Sequence, residues 1–289
     1  MDQDIGRLLE KHLAQRCAVF SRRTLGGGSI SSAEHVQTDI GDFFMKRNTT
    51  SQGGDMFREE IDGLEVLRRT GTLRIPEVIG NGRSSDSFYL ILEYIEPVKT
   101  HDRRFWTGFA DGVAQLHRTS YSQFGYVQHN FIGTLSQSNT YHPDWVSFFI
   151  QERLDPLMKQ VYDRGLLSLT DIKSMRRLQS QLDGLIPTEK PALLHGDLWS
   201  GNFLGDRTGK AVLFDPAVYY GHREMDIAMS TLFGGFDASF LEGYNESYPL
   251  QPDWRQRLPI HNLYPLLVHV ALFGQSYVEQ LRKTLNRYG

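Results

Sequence analysis

Apolar and polar positions keep one rhythm up to about residue 96 and another after it. Residues Asp4 to Leu13 carry Ile5, Leu8, Leu9 and Leu13 at helical spacing, which predicts a short amphipathic helix at the start. The apolar run Phe43-Phe44-Met45, ending in Lys46, predicts a strand. Gly53-Gly54-Asp55 opens a helix with Asp55 as its N-cap and Phe57, Ile61, Leu64 and Leu67 as its buried stripe. Arg74 to Gly80 reads as a turn and strand, and Gly82 to Ser87 as a polar loop. Phe88 to Ile95 is the most strand-like run in the chain, stopped by Glu96-Pro97.

Beyond that point the period is helical. Phe105, Phe109, Val113 and Leu116 share one face, and a second helix runs from Trp145 to Val161, with Pro156 expected to kink or split it. Thr170 is the expected cap of a third, which buries Ile172, Met175, Leu178, Leu182 and Leu185. Glu224 to Leu232, Leu263 to Phe273 and Tyr277 to Leu285 complete the set. The expected fold is α+β in two lobes. Residues 1–95 form a small antiparallel-sheet lobe with one helix, and residues 96–289 a larger, mainly helical lobe, with a small-molecule site in the cleft between them.

Composition narrows the chemistry. At 289 residues the chain can bury a sizeable core, and 40% hydrophobic with 22% charged residues is ordinary for a globular protein. A net charge of -3 gives no basic field for nucleic acid. No apolar run approaches the roughly 20 residues of a membrane span. Cys17 is the sole cysteine, which rules out an intrachain disulfide or a cysteine-built metal site and points to a cytoplasmic protein.

The candidate chemistry centres on His195-Gly196-Asp197-Leu198-Trp199-Ser200-Gly201-Asn202, followed by Phe214-Asp215-Pro216 after the apolar run Ala211-Val212-Leu213. Phosphoryl transfer needs these types: one Asp to accept or orient the hydroxyl proton, and an Asn and a second Asp to hold magnesium. Alone, Gly26-Gly27-Gly28 reads as a flexible hairpin. Followed by a strand ending in Lys46, it suits a turn over phosphates, with Glu60 placed to pair with the lysine. Adenine would use backbone groups of Glu93 and Ile95. The order of parts is that of a two-lobed protein-kinase-like fold, yet without His-Arg-Asp, Asp-Phe-Gly or Ala-Pro-Glu.

Pro191 to Asn202, Phe214 to Ala217 and Tyr220-Gly221-His222-Arg223-Glu224 resemble the fructosamine kinase (ketosamine 3-kinase) family, within the aminoglycoside phosphotransferase-like kinases. Gly26 to Ser31, Phe43 to Asn48, Met56 to Glu60, Phe124-Gly125-Tyr126 and Met229 to Phe236 extend the likeness over nearly the whole chain. The resemblance implies ATP- and Mg2+-dependent phosphorylation of the 3-hydroxyl of a ketosamine, on a small amine or a glycated protein lysine, after which the adduct breaks down. Ribulosamine, erythrulosamine and fructosamine stay open as the sugar. It implies Asp197 as base, Asn202 and Asp215 as magnesium ligands, Lys46 steadied by Glu60 on the α- and β-phosphates, and Gly27, Gly28 and Ser29 over them. Trp199, His222 and Arg223 are its candidate substrate contacts. Ser29 stands where some relatives carry a cysteine, so thiol control there is not expected. The alternative is a kinase for another hydroxyl, of the aminoglycoside, choline or homoserine type.

Overall fold

The structure is a computed structural model that describes residues 2–26 and 31–288. The chain divides into two compact units, Met1–Phe105 with Phe203–Asp215, and Trp106–Asn202 with Pro216–Gly289.

The first unit is built on a five-stranded antiparallel sheet whose strands lie in the order Val19–Leu25, Ser32–Thr38, Gly41–Asn48, Ser87–Glu93 and Val78–Ser84. Its elements are α1 (Asp2–Leu13), β1 (Val19–Leu25), β2 (Ser32–Thr38), β3 (Gly41–Asn48), α2 (Gly53–Thr70), β4 (Val78–Ser84) and β5 (Ser87–Glu93). Alternation along β3 sends Phe43 and Met45 to one face, where they join Val36, Tyr89 and Ile91 against Ile5, Leu8 and Leu9 of α1. Lys46 therefore goes to the other face, toward α2. The strand β4 runs into the stretch expected to be a polar loop as far as Ser84, leaving only Ser85 and Asp86 as the turn to β5. As an edge strand it tolerates polar residues, and its glycines are required by α1. A Cβ on Gly80 would come within 2.3 Å of the His12 ring, and one on Gly82 within 2.4 Å of Leu8.

α2 begins at Gly53 after Gln52, not after a capping Asp55; Asp55 instead pairs with Arg58 one turn on. Asn48 sets that start, since its Oδ1 accepts from the Thr50 N–H and hydroxyl. The short hairpin Phe203–Gly205 with Ala211–Leu213 completes the unit through bridges to Val98 and Arg74.

The second unit is mainly helical. Its first helix is Arg103–His117. Around Pro156 the long apolar pattern divides, as its missing N–H requires. A turn of α-helix at Trp145–Phe148 widens to a π-helix at Phe149–Leu154, then resumes at Asp155–Asp163 with Pro156 in its first turn. The next helix, Leu169–Gln179, is capped by Ser168 rather than Thr170, because Ser168 and Asp171 form a reciprocal capping box. Helices Glu224–Leu232, Ala238–Ser247, Trp254–His261, Leu263–Phe273 and Val278–Tyr288 follow. The strand Ala192–Leu194, paired with Tyr219–Gly221, carries the chain into the His195–Asn202 loop. No helix among the described residues is long and apolar enough to cross a membrane.

Candidate active site

In the first unit three of the expected residues meet. Lys46 Nζ donates to Glu60 Oε1 at 2.7 Å and lies 2.9 Å from Asp215 Oδ1. Burial opposes the lysine's charge, but the Asp215 and Glu60 carboxylates outweigh it and raise its pKa. Burial pushes Glu60 up, the Lys46 ammonium pulls it down and the charge of Asp215 pushes it up again, and the balance lies above the usual carboxylate range. Asp215 sits at φ +58 with half its side chain exposed. Asp tolerates that left-handed backbone better than most side chains, and strain of this kind gathers at functional sites.

Glu93 ends β5, where its N–H donates to Glu77 O and its carboxylate accepts from Arg74 at 2.6 Å. Arg74 also binds the buried Asp206, so this pair ties the hairpin Phe203–Asp215 to the strand end. Ile95 is buried just beyond. Gly27, Gly28 and Ser29 lie outside the described residues.

In the second unit the loop His195–Asn202 is wound tightly on itself. Asn202 Nδ2 donates to Asp197 Oδ2 at 2.7 Å and to its backbone carbonyl at 2.9 Å. That orients the amide, whose oxygen is a donor of the kind a hard cation prefers. His195 is fully buried and its Nδ1 accepts the Asp197 N–H, a bracing role. Trp199 is partly exposed, set edge-on to Phe233 at 6.0 Å, and its ring leaves room only for a glycine at position 201.

Asp226 stands in the first turn of helix Glu224–Leu232, yet its carboxylate accepts from the backbone N–H groups of both His195 and Gly196, at 2.7 and 3.0 Å, and from His117 at 3.2 Å. The available signal was an acid inside the otherwise apolar run Met225 to Met229, where a charge must find a partner.

His222 and Arg223, expected as substrate contacts, have their polar atoms engaged by other residues of the second unit. His222 is fully buried, accepts from the Glu224 N–H and donates to Pro187 O. Burial, with His261 beside it, lowers its pKa to about 4 and keeps it neutral. Arg223 is spent on Glu189 and on the carbonyls of Tyr248 and Pro249. Both anchor the segment before helix Glu224–Leu232. His222, Glu224 and His261 also lie close enough to invite a metal. Arg257, however, grips the Glu224 carboxylate through two nitrogens at 2.9 and 2.5 Å and neutralises it, so the cluster is an internal ion pair.

A buried lysine–glutamate pair on an antiparallel sheet, with an Asp and an Asn interlocked on a separate loop, defines the class of kinase-like phosphotransferases. A model of the fructosamine kinase family matches residues 1–288, and the chain belongs to that family. It is 37% identical to a probable ketoamine kinase of Enterococcus faecium, over 91% of this chain and 93% of that one. It is 34% identical to the chloroplastic protein-ribulosamine 3-kinase of Arabidopsis thaliana, over 92% of this chain and 81% of the other. The solved structure of a Haemophilus somnus protein assigned to the fructosamine-3-kinases aligns with a TM-score of 0.88 at 30% identity, covering 98% and 96% of the two chains.

Proposed function

We propose that the protein is an ATP-dependent ketosamine kinase, phosphorylating the 3-hydroxyl of a ribulosamine, erythrulosamine or fructosamine, free or on a protein lysine. The observation that carries this reading is the buried Lys46 ammonium, fixed by Glu60 at 2.7 Å on the face of β3 away from α1. A cation held in one direction costs no reorganisation when phosphate charge develops, which is how such sites lower a barrier.

Asp197 accepts or orients the proton of the acceptor hydroxyl. As the new O–P bond forms to the sugar oxygen, the bond between the γ-phosphorus and the bridging oxygen of ADP breaks, and the proton leaves through the carboxylate. Asn202 and Asp215 supply the oxygen donors that Mg2+ prefers; when bound, the ion offsets phosphate charge. Lys46 contacts the α- and β-phosphates, and the backbone of Glu93 and Ile95 receives adenine. Trp199, partly exposed two residues after Asp197, offers an aromatic face to the C–H side of a sugar. The name of the Arabidopsis relative supports a ketosamine and position 3. With its one cysteine buried, the chain suits the reducing cytoplasm.

The test is a panel of ribulose-, erythrulose- and fructose-modified lysine, an aminoglycoside, choline and homoserine, each with ATP and magnesium, read by ADP release. Release confined to the ketosamines, with phosphate mapped to O3 by NMR, is expected. Turnover of an aminoglycoside, choline or homoserine with idle ketosamines would replace this reading by the other hydroxyl kinases.

A further inference from the structure

Asp197 lies on a turn with no regular secondary structure to hold it, so its position depends on what grips the backbone beside it. On one side Asp226 accepts the N–H groups of His195 and Gly196. On the other side stands Ala217. Its N–H donates to His195 O at 2.9 Å. Its carbonyl oxygen presses on Gly196 so closely that a Cβ there would come within 2.0 Å, and Gly196 adopts φ +83. The place of this one carbonyl limits where the turn before Asp197 can go.

Gln137 holds that carbonyl. Its side chain is buried, and its Nε2 donates to Ala217 O at 3.2 Å and to Asn130 Oδ1 at 2.7 Å, while its Oε1 accepts from the Tyr264 hydroxyl. Turning the amide over would set its oxygen against two acceptors, so only one orientation works. Asn130 in turn donates to Val218 O at 2.8 Å and accepts from Asn139 at 3.0 Å. Asn139 Oδ1 accepts from Arg153 Nη2 at 2.7 Å. Arg153 is fully buried, with no carboxylate within ion-pair distance among the described residues. Its charge rests on the Ser138 carbonyl and on the ring faces of Tyr219 and Phe148, 4.1 and 4.5 Å away. A buried cation thus heads a chain of amides in which each group polarises the next. The chain ends on the carbonyls of Ala217 and Val218.

We propose that Gln137 is a positioning residue for Asp197, acting through the Ala217 carbonyl and the Gly196 turn, with Arg153, Asn139, Asn130 and Tyr264 fixing its orientation. This rests on the role given to Asp197 in the proposed function. Buried apolar side chains of similar volume would fill the same space without four amide and guanidinium groups to satisfy. The polar chain instead fixes the angle of one backbone carbonyl.

The experiment compares Gln137→Met and Gln137→Glu with the wild type. Gln137→Met keeps length but removes both donors. Its kcat should fall by about tenfold or more with KM for ATP within about twofold, the pattern of a misplaced catalytic group. Amide hydrogen exchange should speed up at Asp197 and Ala217, residues distant in sequence from the substitution. Gln137→Glu keeps the acceptor for Tyr264. Ionised it has no donor, and protonated it regains one. Its turnover relative to wild type should therefore rise as pH falls from about 8 to 6, over the range a buried Glu can titrate. Of the titratable groups around it, Tyr264 and Tyr219 are held neutral by burial, and Asp197, which also acts on Tyr264, is common to both proteins compared.

Wild-type kcat in Gln137→Met with unchanged exchange at Asp197 and Ala217, or a flat ratio for Gln137→Glu, overturns the proposal. If Gln137→Met does not fold, Tyr264→Phe decides. It deletes only the hydroxyl that orients Gln137, and should lower kcat about threefold or more at an unchanged thermal midpoint; full activity refutes the link. A wild-type protein idle with every ketosamine sinks the proposed function instead, and the exchange measurement still judges the coupling.

Discussion

The direction of Lys46 follows from strand alternation. With Phe43 and Met45 committed to the α1 side, residue 46 must face α2, where Glu60 lies 2.7 Å from its ammonium. The pairing is legible in the sequence because a strand-end lysine and a glutamate at the margin of an apolar helical stripe both stand out. Glu60→Ala leaves Lys46 its partner Asp215 at 2.9 Å, so the fold should survive. Turnover should fall by about 10- to 100-fold, the scale of a group moved off its productive position. Steady-state rates and a melting curve on the same sample check this. Normal specific activity with a collapsed midpoint would make Glu60 a stability residue only. His222 and Arg223 are where residue-level reading stops. Their motif marks them as special, but nothing local discloses that Pro187, Glu189 and Tyr248 use their polar atoms.

At the scale of elements, helices were the easiest features to read and their ends the hardest. Glu224–Leu232 and Leu263–Phe273 match their apolar patterns, whereas Thr170 gave way to Ser168 as the cap of Leu169–Gln179. Both residues carry a hydroxyl, and the choice is made by Asp171, which closes the capping box and reaches Arg282 of the last helix at 2.8 Å. The Arg282 guanidinium, with the Ser168 N–H and hydroxyl, outweighs burial and draws the Asp171 carboxyl down to about 2. The folded pKa lies below the unfolded one, so this stabilisation is complete above about pH 4 and is lost as pH falls toward 2. Asp171→Ala should cost about 1 to 2 kcal/mol at pH 7, as lost caps do. The gap to wild type should close between about pH 4 and 2. Urea unfolding across that range measures it, and a gap constant down to pH 2 would remove the ion pair and cap from the account.

For the molecule as a whole, the change of rhythm near residue 96 announced a sheet-rich part followed by a helical one, and both are present. The hairpin Phe203–Asp215, which joins the first unit, could not be read in the same way. Its strands are three residues each, and what ties them to that unit is distant in sequence: the Arg74–Asp206 pair and the bridges to Arg74 and Val98. The partners of Asp226 were equally out of reach, since the N–H groups it accepts from lie about thirty residues earlier. The kinase family was legible, because residue types and spacing survive without any contact being known.

The central claim is that Asp197 handles the acceptor proton while other groups hold the nucleotide. Asp197→Asn, assayed with ATP, magnesium and a ketosamine-modified lysine beside a nucleotide titration, tests it directly. The account predicts turnover lower by about 100-fold or more, the scale of general base catalysis, with ATP affinity changed by no more than about threefold. Turnover near wild type in a variant that still binds ATP would contradict it.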